Sequence, residues 1–94
     1  MMENRVAVIA IIVEKASAVG HLNELLHEYG HRIIGRMGLP YPARGIHLIS
    51  VAIDAPQSEI SALSGKLGRL SGVTAKTVYA PADCGENKEK DQEE

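Results

Sequence analysis

The sequence has no Trp, no Phe and only three Tyr in 94 residues. A core must therefore be assembled from Val, Ile, Leu and Ala rather than around large rings. There is one cysteine, Cys84, so an internal disulfide is excluded. Long apolar runs are missing: Val6–Val13 falls short of the roughly 20 residues a membrane helix needs, and Arg5 interrupts the start of any signal peptide. A cytoplasmic location with no membrane partner is expected. An excess of one charge is also lacking, since 10 Lys and Arg stand against 12 Asp and Glu for a formal net charge of −2. No basic footprint is left for direct nucleic-acid binding by this chain. No Ser-His-Asp set, metal quartet or paired carboxylates occur in a defined context, so an enzyme is not expected.

What is present is a chain with 45% hydrophobic residues and clear periodicities. A domain of this size buries only about 60–65% of the surface of its unfolded chain, which makes oligomerisation an expected source of stability. Residues 5–13 are β-branched and apolar on both faces, a strand that must be covered on both sides. Residues 14–16 turn the chain, and Ser17 is a plausible N-cap for a helix running to Tyr29. Leu22, Leu25, Leu26 and Tyr29 form its apolar stripe. Gly30 is expected to end it at positive φ. Residues 31–38 read as a second strand in which Arg32 and Arg36 alternate with apolar residues. Gly35 marks a bulge or a close backbone approach within it. Residues 39–45, with Pro40 and Pro42, read as a loop, and 46–53 as a third strand. Asp54 is a candidate cap, with Pro56 in the first turn and Gln57 at capping-box spacing, for a helix whose stripe is Ile60, Leu63, Leu67 and Leu70. Gly65 and Gly68 inside it each cost about 1 kcal/mol relative to Ala, and close packing against a neighbour or simple tolerance would explain their presence. Gly72 ends it, and 73–79 is a fourth strand. The expected organisation is one domain over 1–80 and a disordered, charged tail over 81–94.

The order β-α-β-β-α-β predicts an α+β, ferredoxin-like fold: a four-stranded antiparallel sheet with two helices on one face. The first and third strands, central in that topology, are apolar on both faces, so the second face is expected to be covered by another copy of the chain. Candidate effector ligands gather around the second strand and its loop. Arg32, Arg36 and Arg44, with Tyr41 nearby, suit a carboxylate or phosphate because guanidinium forks match such groups bidentately. The alternative is a solvated edge strand protected by its charges. Candidate metal ligands are His27 and His31, four apart, and His47, which shares a strand face with Ile49 and Val51 and could meet its symmetry mate or His21 across an interface. Helix-end and packed histidines are the alternatives. Cys84 has no arranged base near it in sequence. Gly35, Gly38 and Gly45 do not have the spacing of a phosphate-binding fingerprint. Tyr41 and Tyr79 are interface residues or caps of the sheet edge.

Seven runs together carry a family resemblance: Arg5-Val-Ala-Val-Ile, Asn23-Glu-Leu-Leu-His-Glu-Tyr-Gly, Ile34-Gly-Arg-Met-Gly-Leu-Pro-Tyr, Leu48-Ile-Ser-Val, Asp54-Ala-Pro, Ile60-Ser-Ala-Leu-Ser-Gly-Lys-Leu-Gly and Val73-Thr-Ala-Lys-Thr-Val-Tyr. Over residues 5–79 the chain resembles the small family described as regulators of the iron-only hydrogenase system. The resemblance implies an ACT-like fold, related in shape to the ligand-sensing domain of the nickel-responsive repressor, with dimers or tetramers formed through the sheets. Two departures narrow it. Residues 13–17 lack the proline and glycine of the turn found in amino-acid-binding ACT domains. Four residues before the first strand are expected to be too few for a DNA-binding segment, so any transcriptional effect needs a partner protein. The resulting expectation is a homo-oligomeric regulatory module sensing a small effector or metal at subunit interfaces, with no cofactor identified. The alternative is a ligand-free structural or interaction subunit; a dimeric ferredoxin-like enzyme ranks third.

Overall fold

A computed structural model of the protein describes residues 3–81. The charged tail and Cys84 expected within it lie outside those residues, apart from Pro81. The elements are β1 (Asn4–Val13), α1 (Val19–Glu28), β2 (Ile33–Tyr41), β3 (Ile46–Pro56), α2 (Gln57–Gly68) and β4 (Val73–Tyr79), with short 3-10 turns at Ala16–Ala18 and Pro42–Arg44. The sheet order is β2-β3-β1-β4, antiparallel throughout. This is the expected ferredoxin-like α+β arrangement.

Register separates the two sheet faces. Ile9 pairs with Val51 and Ile11 with Ile49, and these residues join Ala7, Val13, Ile53 and Val73 beneath the helices. Leu22 and Leu26 of α1 and Ile60, Leu63 and Leu67 of α2 close this core from above. All five helical residues are at most 2% exposed. Aliphatic side chains at helical spacing thus fill the space that rings would fill elsewhere, and no buried polar side chain is present among the described residues.

Several local expectations are corrected. Ser17 is not an N-cap: it lies within the 3-10 turn, which the Ala18 amide closes on the Lys15 carbonyl at 3.0 Å, and α1 begins directly after that turn, at Val19. Gly30 does not adopt positive φ, because the chain leaves α1 through Tyr29 at φ −101°, and the Gly30 amide donates to the His27 carbonyl at 3.0 Å. β2 runs on through Leu39, Pro40 and Tyr41, which pair with Leu48, His47 and Ile46. An edge strand tolerates Pro40 because its missing N–H is not needed by an inner neighbour. Asp54 stays in the ladder opposite Val6, its amide donating to the Arg32 carbonyl at 3.0 Å, and α2 starts from Pro56 without a side-chain cap.

The bulge expected at Gly35 is present, between Ile33 and Gly35, but a Cβ there would meet nothing within 4 Å. Close backbone approach is therefore not its cause. Positive φ belongs to Gly45 at 69° in the β2–β3 turn and to Gly72 at 80° before β4.

Candidate functional site

With both helices on one face, the other is a grid of side chains set by register. One rung reads Met37, Ser50, Ala10 and Lys76 across β2-β3-β1-β4, flanked by Leu39, Leu48, Ile12 and Thr74 on one side and Gly35, Ala52, Val8 and Val78 on the other. Large apolar residues stand in solvent here: Met37 is 69% exposed, Val78 67% and Leu39 58%. The small floor residues Ala10 and Ser50 leave a groove of about 380 Å³, bounded by Ile12, Met37, Leu39 and Leu48. Ser50 is its one polar lining side chain among the described residues. An apolar surface this continuous marks an interaction or ligand site rather than an ordinary solvated face.

The expected effector residues do not converge. Arg32 is bound to α2: its Nε donates to Glu59 Oε1 at 3.1 Å and its Nη2 to Oε2 at 3.2 Å, a bidentate pair. Arg36 reaches α1, where Nη2 donates to Asn23 Oδ1 at 3.1 Å. Both guanidiniums thus fasten the edge strand to the helical layer. Tyr41 faces the open side at the end of β2, 48% exposed, and Arg44 follows in the 3-10 turn. Tyr41 and His47 share a shallow pocket of about 290 Å³ with Ala16, Pro40 and Pro42.

Of the histidines, His27 sits in the last turn of α1, His31 in the turn after it, and His47 on β3 opposite Val13. Among the described residues, no three His, Cys, Asp or Glu side chains come together in a way that could hold a metal ion within one copy. Tyr79 covers an edge of the sheet, with the Arg5 guanidinium 4.8 Å from its ring centroid and Ser61 Oγ 3.4 Å from its hydroxyl. The groove itself escaped sequence reasoning. Its signal was the unbroken alternation of Met37, Leu39 and Tyr41 through a segment whose prolines read as loop.

The profile of the TM1266-like family, described as "Iron-only hydrogenase system regulator, putative", matches residues 5–77. The chain belongs to that family. Its likeness to TM1266 from Thermotoga maritima, an uncharacterised protein, reaches 36% identity and a TM-score of 0.81, covering 84% of this chain and all of that one. The ACT domain of GTP pyrophosphokinase from Chlorobium tepidum is 19% identical with a TM-score of 0.69, covering 80% of this chain and 99% of that domain. A formyltetrahydrofolate deformylase from Pseudomonas putida is 12% identical with a TM-score of 0.58, over 81% of this chain and 29% of that one. The ACT domain establishes an ACT-like fold, which part of the deformylase shares, and neither shows anything further. No curated protein matches the chain. No described helix is long and apolar enough to cross a membrane.

Proposed function

We propose that this chain is a non-enzymatic regulatory module of the iron-only hydrogenase system, a homo-oligomer assembled through its open sheet face. A small effector held between copies alters the surface offered to a protein partner. The observation that carries the reading is the exposed apolar face, with Val8, Ile12, Met37, Leu39 and Val78 all at least 40% exposed.

Strand spacing and rise give that face a projection of roughly 19 Å by 30 Å, and side-chain relief brings its accessible area toward the ~800 Å² per partner of a standard interface. Few charges interrupt it, Lys76 and Asp54 being near its margins. About a two-fold axis along the strands the patch can therefore meet itself with Lys76 over Met37 and no like charges opposed. Tyr41 on the open face and Arg44 in the β2–β3 turn then form a polar rim where an anionic group shared between copies would be held, whereas His47, opposite Val13, belongs to the helix-covered face and takes no part in it. Family membership supports the regulatory role, and the absence of a sequence-defined catalytic set agrees with it.

Native mass spectrometry of the full chain, purified from its own host without chelator, tests this. A dimer or tetramer carrying a stoichiometric extra mass is the expected result. A bare oligomer that no added ligand stabilises would favour a ligand-free interaction subunit, and a monomer would overturn assembly through the face.

A further inference from the structure

The groove in the open face lies at the centre of the sheet, and its role in an assembled protein rests on the proposed pairing of copies through that face. Ala10 and Ser50 pair directly across the two central strands, and Ala52 and Gly35 lie on the adjoining rung. The surrounding positions carry Met37, Leu39, Leu48, Ile12 and Val8. A closed homodimer is isologous, so its two-fold axis brings the middle of the face against the middle of its copy. Around an axis along the strands, Ala10 of one copy stands over Ser50 of the other and Lys76 over Met37, whereas an axis across them would oppose Lys76 to its own mate. About the first axis small meets small, while the larger side chains meet around the edge and hold the sheets about 10 Å apart.

We infer that two copies enclose a central apolar chamber over Ala10 and Ser50, and that this chamber is the effector site. It is built for a small, largely apolar molecule. Each copy contributes an open groove of about 380 Å³, so the space two copies enclose is at most about twice that, less what the facing side chains fill, which leaves room for a small ligand. A dry void of that size would weaken the assembly in proportion to its volume, and an apolar occupant removes that cost. Ser50 is the one polar residue in the chamber's lining among the described residues, and the walls are almost wholly apolar. Because the site is complete only when both copies are present, occupancy and assembly are thermodynamically linked.

The test uses the full chain with 1-octanol as the probe, reading native mass spectra and thermal unfolding together. Wild-type protein is expected to be oligomeric, to take up octanol stoichiometrically and to show a saturable rise of several degrees in Tm. Ser50→Leu fills the hollow from a face exposed in the single copy, so it should remain folded and oligomeric, melt higher without probe and lose the octanol response. Ala62→Leu, on the exposed side of α2, is the control that should keep the wild-type response. An oligomer without a saturable octanol response, or a Ser50→Leu variant that retains it, overturns the chamber while leaving the assembly standing. A monomeric wild type overturns the assembly, and the chamber with it.

Discussion

Gly72 is the residue whose identity the backbone constrains most tightly. Its φ is 80°, and a Cβ built there would lie 2.6 Å from Lys15 Cγ and 2.8 Å from Lys15 Cβ. A new rotamer would move Lys15 Cγ but not its Cβ, which the backbone holds in place through the adjacent Glu14 amide donating to the Gly72 carbonyl at 2.7 Å. Gly72→Ala is therefore expected to destabilise by about 1–3 kcal/mol, combining left-handed strain with a steric shift, as read by urea unfolding. Gly65 is the opposite case. It lies inside α2, and its added Cβ would meet Arg69 Nη1 at an ordinary 3.7 Å. Gly65→Ala should stabilise by about 0.5–1 kcal/mol through helix propensity. Loss of stability in that variant would instead reveal a neighbouring copy packed against α2.

At the scale of elements, β2 is the strand the helices cover least: from Ile34 to Tyr41 every residue is exposed. It is tied to the helical layer by Arg32–Glu59 at one end and Arg36–Asn23 further along. The Arg32 and Glu59 side chains are 30% and 38% exposed, so solvent screens the pair despite its bidentate geometry. A double-mutant cycle with Arg32→Met and Glu59→Gln should give a coupling of less than about 1 kcal/mol, shrinking as salt is added. A salt-independent coupling of several kcal/mol would show that the pair is buried in the assembled protein. This strand is also where sequence reading and structure diverge. β1, β4 and the body of β3 were legible because β-branched and other apolar residues carry them, although β3 runs three residues past its expected end, to Pro56. The end of β2 was not, since Pro40 and Pro42 carry loop signals and only pairing with β3 shows that an edge position tolerates the first of them. The hollow was illegible for a related reason. Ala10, Met37 and Ser50 are far apart in sequence, and only cross-strand register sets them on one rung.

For the whole molecule, the sequence showed that the central strands are apolar on both faces, and register now says which side lacks a partner. Ile9 is 0% exposed beneath the helices, whereas Ile12 is 40% exposed on the open face. Aspartate at the two positions should therefore act on different equilibria. Ile9→Asp places an unpaired carboxylate in the core and should unfold the domain, seen as loss of the cooperative thermal transition. Ile12→Asp leaves the carboxylate solvated in a single copy, so the circular dichroism spectrum and a cooperative transition should persist. In the assembly the same charge becomes buried without a partner, at a cost of about 3–5 kcal/mol, which weakens association by roughly two to three and a half orders of magnitude in Kd. Sedimentation across a range of concentrations reads that change directly. A folded Ile12→Asp protein that still assembles as tightly as wild type would place the interface elsewhere. The edge strands β2 and β4 would then be the next surfaces to test, because their outer backbone groups are the remaining sites at which the sheet can extend into a neighbour.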